Sequence, residues 1–200
     1  MDKIYNKFIN RKRNIIGNYI NNAVMILLYK EKEEIYIIFE VRAHTLSTQP
    51  GGICLPGGRI EGNETPREAA IRETVEELNI MAEDIKFIEE SDYMINPYGL
   101  IIYPFVGEIN HFPGNPNKSE VDHIFKVPIS YFINNPPEIY NMSIKSIPDS
   151  NFPYDLLKDG KSYKFMEKNY DQYFYNYGSY VIWGITAQII KSFIDIICEK

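Results

Sequence analysis

One short stretch, from Gly58 to Ile80, constrains this chain more tightly than any other. Gly58 is followed after five residues by Glu64, and Glu64 after seven more by Arg72-Glu73-Thr74-Val75-Glu76-Glu77-Leu78-Asn79-Ile80. Thr65-Pro66-Arg67-Glu68 has the form of a capping box with proline in the first turn, which predicts a helix over 66–78. Asn79 stands where that helix should stop, because asparagine accepts the left-handed backbone of a helix end almost as glycine does. At about 100° per residue, Ile71, Thr74, Val75 and Leu78 share one face. Glu73, Glu76 and Glu77 converge on another, since residues three and four apart are neighbours. Three like charges at that spacing weaken an isolated helix. A divalent cation turns the repulsion into coordination; the bland alternative is an acidic, solvated helix face.

The rest of the chain predicts strands around this helix. Ala23–Tyr29 and Ile35–Val41 are apolar, β-rich runs separated by Lys30-Glu31-Lys32-Glu33-Glu34, the pattern of an antiparallel hairpin with a charged turn. Further strands are expected at about 85–94, 100–109 and 121–127, with a short helix at 129–133. Asn110–Ser119 reads as a loop, and 134–160 as Pro- and Asn-rich chain wandering over the surface. The aromatic-dense segment 163–180 forms the last strands. A terminal helix follows over 181–198, apolar at Ile182, Ile185, Ile189, Phe193 and Ile196. Residues 2–13 read as a short helix. No internal repeat or domain boundary is visible. One domain over 1–200 is expected, with 1–20 an N-terminal extension and 134–177 a variable region.

Bulk properties narrow the setting. A composition with 44% hydrophobic and 24% charged residues is that of a soluble globular chain. No window approaches the roughly 18 uncharged apolar residues of a membrane span. The first thirteen residues alternate apolar and charged side chains without a hydrophobic run, unlike a secretory signal, so cytoplasmic residence is expected. Two cysteines, Cys54 and Cys198, are too few for a disulfide framework. Cys54 reads as a buried structural thiol, with modification as the alternative. A net charge of −6 argues against a nucleic-acid polymer as partner. A small anionic substrate stays compatible if a cation bridges it to the acidic site.

The Gly58–Ile80 stretch resembles the Nudix box, G-x5-E-x7-R-E-U-x-E-E-x-G-U with U a bulky aliphatic residue. It departs at Asn79, in place of the last glycine, and at Thr74, in the first U position. The resemblance implies an α/β fold, a Nudix-type α/β/α sandwich with a mixed β-sheet, and hydrolysis of a diphosphate linkage. It also implies Mg2+ or Mn2+ held by Glu73, Glu76 and Glu77. Upstream, Arg42, Leu46, Pro50, Gly51, Ile53, Leu55, Pro56, Gly57 and Gly58 match the approach sequence of the coenzyme A pyrophosphatase branch. Tyr103-Pro104-Phe105-Val106-Gly107 and Trp183-Gly184-Ile185-Thr186-Ala187 resemble its central strand and the start of its last helix. Residues 134–177 match nothing in that pattern.

Roles follow from the resemblance and from residue chemistry together. Arg72, four residues from both Glu68 and Glu76, is expected to orient carboxylates rather than touch substrate. Glu64 is a further metal ligand or merely flanks the loop, and both readings stay open; Glu61 is the weaker candidate. The general base is a box glutamate or Glu120, whose bland reading is an exposed loop acid. Arg42 meets a substrate phosphate or makes a surface ion pair. Gly57 and Gly58 let backbone amides approach a phosphate. His44, His111 and His123 lack metal-type spacing and read as structural or surface residues. Tyr163, Phe165, Tyr170, Tyr173, Phe174, Tyr175 and Tyr177 pack in the core or wall a pantetheine site.

The leading expectation is a metal-dependent hydrolase splitting coenzyme A or an acyl-CoA into 3′,5′-ADP and a 4′-phosphopantetheine. The same chemistry on ADP-ribose, a dinucleotide or a nucleotide sugar is the second reading. A non-hydrolytic nucleotide sensor is the third. The expected partner is a small diphosphate; a homodimer is compatible with all three.

Overall fold

The computed structural model describes residues 1–9, 11 and 14–199. A short helix, α1 (Asp2–Phe8), opens the chain and stops at Ile9, whose backbone is extended, short of the predicted end at 13; residues 10, 12 and 13 lie outside that description. The hairpin forms from β1 (Ile20–Glu31) and β2 (Glu34–Arg42), and Lys32 takes a positive φ of 55° at the turn. Two short strands of the approach loop follow, β3 (Ile53–Cys54) and β4 (Gly57–Arg59), then the capped helix α2 (Pro66–Leu78). Next come β5 (Ile85–Glu90), β6 (Met94–Ile95), β7 (Leu100–Ile109), β8 (Val121–Pro128) and α3 (Ile129–Asn134). The chain closes with β9 (Glu138–Lys145), β10 (Glu167–Tyr177), β11 (Tyr180–Trp183) and α4 (Gly184–Cys198).

Strand β1 is the axis of a mixed sheet ordered β3-β2-β1-β7-β5, with β4 also on β1, β6 on β7 and β8 on β2. It runs parallel to β7, from Ile20 opposite Leu100 to Tyr29 opposite Ile109, and antiparallel to β2 and β4. Successive side chains of a strand point to opposite faces, and β1 and β2 use this to build two layers. Ala23, Met25, Leu27 and Ile38 join Ala69, Ala70 and Leu78 of α2 in one buried cluster. Ile26, Ile37, Phe39 and Val41 join Ile189, Ile190 and Phe193 of α4 in the other. The result is the α/β/α sandwich with a mixed sheet.

Three expectations need correction. The segment 134–160 does not only wander: β9 lies within it and pairs with β10 from Glu138–Phe174 to Lys145–Glu167. Its side chains are almost all exposed, so no apolar alternation marks it as a strand. The buried face of α2 is Ala69, Ala70, Thr74, Glu77 and Leu78, with Ile71 and Val75 only partly covered. Small alanines let the helix lie close to Ala23 on the sheet, and this turns the helix by part of a face. Finally, α4 begins at Gly184. Ile182 is buried as part of β11, while Ile196 lies exposed near the helix end. Among the described residues no helix is long and apolar enough to cross a membrane.

Candidate active site

Both ends of α2 are fixed by their own residues. The Thr65 hydroxyl accepts from the Glu68 N–H, and the Glu68 carboxylate accepts from the Thr65 N–H at 2.7 Å, closing the capping box. The Thr65 N–H and hydroxyl both donate to the Glu68 carboxylate and hold it below its usual range. At the other end Asn79 adopts the left-handed conformation, φ 51° and ψ 52°. Its side-chain amide donates to the Asn115 carbonyl, and the Asn117 N–H donates to the Glu77 carbonyl at 2.9 Å. The Pro- and Asn-rich loop is therefore stitched to the helix end.

The two glycines of the approach loop make room for the carboxylates. A Cβ on Gly57, where φ is 146°, would come within 2.6 Å of the Val24 Cα. A Cβ on Gly58 would sit 2.5 Å from the Glu73 carboxyl carbon. The strand can thus pass flat across β1 while Glu73 fills the space a side chain would take. The Gly57 N–H donates to Glu77 Oε2 at 2.8 Å, so this amide is committed to a carboxylate rather than left open for a phosphate.

Arg72 organises the outer acids. It donates from Nε and Nη2 to both oxygens of Glu64, at 3.1 and 2.9 Å, and from Nη1 to Glu73 at 3.0 Å and Glu76 at 3.3 Å. Nη2 also reaches the Arg59 carbonyl. These bonds hold the Glu64 carboxyl below its usual range and keep the guanidinium protonated. Glu76 is half exposed. Glu73 and Glu77 turn inward, and burial pushes both carboxyls up, Glu77 the further. The acids expected to converge are therefore divided between solvent and interior, and among the described residues no three of them close around a common point.

The interior holds a partner that the sequence reading did not name. Glu40 of β2 is fully buried on the same face as Ile38, and its carboxylate is within hydrogen-bonding reach of Glu77. Desolvation lifts its pKa to about 7. The Cys54 thiol, directly across from it on β3, donates to Glu40 Oε1 at 3.0 Å, and burial pushes the thiol's own pKa up. Glu40 Oε2 is buried without a hydrogen-bond donor. A signal was present: Glu40 is the single acid inside the apolar run Ile35–Val41, at a position where alternation calls for an inward side chain.

The remaining candidates rim this pocket of charge. Arg42, two residues after Glu40 on β2, lowers the proton affinity of Glu40, and Glu120, just before β8, raises it. The Arg42 Nε donates to the Thr48 carbonyl, and its main chain bonds Gly51 and Gly52. The Glu120 carbonyl accepts from the Ala43 N–H, and its side chain from Asn117. His123 lies away from the acids, between Asp122 and the Tyr180 hydroxyl. Of the aromatics, Tyr175 is core, edge-on to Phe132, while Phe165 packs edge-on with both Phe152 and Tyr163.

Comparison with known proteins agrees with this architecture. Residues 20–139 match the NUDIX domain. The chain belongs to the NUDIX domain family, and it is a pyrophosphohydrolase of that family resembling the coenzyme A diphosphatase branch. The mouse peroxisomal coenzyme A diphosphatase NUDT7 is 28% identical over 180 residues, covering 89% of this chain and 70% of that protein. The Caenorhabditis elegans peroxisomal coenzyme A diphosphatase ndx-8 is 30% identical over 123 residues, covering 56% of this chain and half of that one. A Nudix hydrolase, NudL, of Photorhabdus laumondii is 27% identical over 174 residues, covering 84% and 81%. A crystal structure of a MutT/nudix family protein from Enterococcus faecalis superposes with a TM-score of 0.52 at 15% identity, covering 98% of this chain and 69% of that one. At that identity it speaks for the fold alone.

Proposed function

We propose that this protein hydrolyses the diphosphate bond of coenzyme A or an acyl-CoA, giving 3′,5′-ADP and a 4′-phosphopantetheine. One observation carries the reading: the approach loop and the helix are a single unit. Gly58 yields its side-chain space to Glu73, and Gly57 donates its amide to Glu77. The approach sequence is what resembles the coenzyme A branch, and two relatives that the chain is similar to are named as coenzyme A diphosphatases.

The donor set suits Mg2+ or Mn2+, hard cations that prefer carboxylate oxygens. Burial raises the proton affinity of Glu77, which has no salt bridge among the described residues, and Glu40 Oε2 is a buried oxygen with no donor. When bound, such a cation supplies charge neutralisation for the diphosphate and activation of water. In this proposal Glu73 and Glu77 hold it, with Glu76 joining after release from Arg72. Arg72 orients Glu73, and Glu64 anchors Arg72 from the loop, which gives Glu64 a positioning role. Glu120 is the proposed proton acceptor outside the helix, and Arg42 a contact for substrate phosphate. Cytoplasmic residence belongs to the same proposal, supported by two free cysteines; the names of the mouse and worm relatives put those proteins in the peroxisome. A homodimer is compatible with the exposed edge of β9, and light scattering reads it.

The test is a substrate panel with product masses, comparing coenzyme A with ADP-ribose at equal concentration under Mg2+ and under Mn2+. Preference for coenzyme A is the expected result. Preference for ADP-ribose sinks the substrate assignment, and no turnover of any diphosphate alongside tight ligand binding makes the protein a sensor.

A further inference from the structure

The acid that the helix motif leaves out is the most unusual group in the molecule. Glu40 belongs neither to Gly58–Ile80 nor to the loop that begins at Arg42. Strand alternation aims it at the α2 side of the sheet, into a layer otherwise made of Ala23, Met25, Ile38, Ala70 and Leu78. A carboxylate in such a layer is costly unless paired. The partner found there is another carboxylate, Glu77, itself almost fully buried.

The polar contacts sort the oxygens by task. Glu77 Oε2 takes the Gly57 N–H, and Glu40 Oε1 takes the Cys54 thiol. Glu40 Oε2 has no donor. No basic side chain forms a salt bridge with either acid among the described residues. Two facing acids, each held by one donor through one oxygen, leave one position between them for a positive charge. A buried unpartnered oxygen in a native fold asks for such an explanation.

We propose that Glu40 is an additional cation-holding carboxylate of this site, taking a divalent ion jointly with Glu77, with the Cys54 thiol orienting it through Oε1. The inference rests on the metal-dependent reading above and extends it to a residue outside the helix. Mg2+ and Mn2+ both prefer carboxylate oxygens, and Glu40 from the sheet and Glu77 from the helix supply them from opposite sides of the layer. The thiol acts from the outer shell: it fixes the direction of the ligand, and outer partners of this kind typically change metal affinity by about 10–100-fold. The rival explanation is a proton shared between the two acids, which needs no ion.

The two separate in a Mn2+ titration of the full chain, read by calorimetry and by the EPR signal of free Mn2+. Wild type is compared with Glu40→Gln, Glu40→Asp and Glu73→Gln, and each melting temperature is taken with and without Mn2+. Glu40→Gln should weaken Mn2+ binding about tenfold or more and shrink the Mn2+-induced rise in Tm, with no loss of metal-free stability. Glu40→Asp keeps a carboxylate and should recover part of the affinity; it also supplies the measurement if the amide variant fails to fold. Unchanged or tighter Mn2+ binding in Glu40→Gln, with binding lost in Glu73→Gln, overturns the role of Glu40 and leaves the helix chemistry standing. Absence of Mn2+ binding in wild type overturns the metal reading and this inference with it.

Discussion

The two faces of the central sheet are packed by one rule, and only one of them breaks it. Toward α4, the strands present Ile26, Ile37, Phe39 and Val41 to Ile189, Ile190 and Phe193, apolar against apolar. Toward α2, the same strands present Ala23, Met25, Leu27 and Ile38, and then Glu40, against a helix whose buried residues include Glu77. Burying two acids within hydrogen-bonding reach of each other costs stability wherever it occurs. The α4 face shows that this chain can fill a layer without such groups. The lesson is that the α2 face carries a function that its packing alone does not explain.

The sharpest way to break the contrast is to neutralise the violating face. Glu77→Gln removes the charge while keeping the shape, and turnover should fall roughly 10³-fold, the scale on which a single well-placed electrostatic group counts in catalysis. The same change relieves repulsion with Glu40, so the melting temperature should hold or rise. Near-normal turnover would remove Glu77 from its assigned role. The mirror experiment is Phe39→Ala on the other face. Phe39 is fully buried, stacked 5.4 Å from Phe125 and tilted 6.0 Å from Phe132. Truncation should cost about 3–5 kcal/mol in denaturant unfolding. Turnover per folded molecule at low temperature should change little. If both variants lost activity and stability alike, the two faces would not be separable.

Pattern made the helix legible before any coordinates. Thr65, Pro66 and Glu68 mark its start and Asn79 its end, because caps are local properties of the chain. The hairpin, the β8–α3 pair and α4 were legible for the same reason. What escaped is non-local. The rotation of α2 depends on Ala69 and Ala70 meeting Ala23, and the exposure of Glu76 on how Arg72 shares itself among Glu64, Glu73 and Glu76. Strand β9 escaped because its stability comes from β10 alone, with both faces open to water. Glu40 was visible as a letter out of place, but only the partner across the layer gives it meaning.

The buried acids also predict how the two faces respond to pH. Glu40 has a pKa of about 7 in the fold against 4.5 in the unfolded chain, and Glu77 is raised as well, both mainly by desolvation. With the folded values higher, the native state binds more protons over this interval. The contribution is fully present below about 4.5 and is lost as pH rises through about 7. Metal-free protein should therefore melt roughly 5 °C lower at pH 8 than at pH 5. Glu40→Gln should flatten that slope, whereas Phe39→Ala should lower the whole curve and keep its shape. A slope unaltered in Glu40→Gln would place the titration elsewhere.

The smallest effect tests whether the violating face reaches beyond the helix itself. Asn79 stands at the αL position with φ 51°, where glycine avoids the strain of a Cβ and would gain a few tenths of a kcal/mol. Against that, Asn79→Gly loses the side-chain bond to the Asn115 carbonyl, a net contribution of about 0.5–1.5 kcal/mol. The two nearly offset, so unfolding free energy should move by less than about 1 kcal/mol. Turnover is then the informative readout. The loop that Asn79 holds also carries Asn117, whose N–H bonds the Glu77 carbonyl and whose side chain bonds Glu120. If Glu120 accepts the proton, loosening this loop should lower kcat severalfold while KM stays near its wild-type value. A variant with unchanged kcat would assign the proton to the helix carboxylates and leave Glu120 as an acid on the rim.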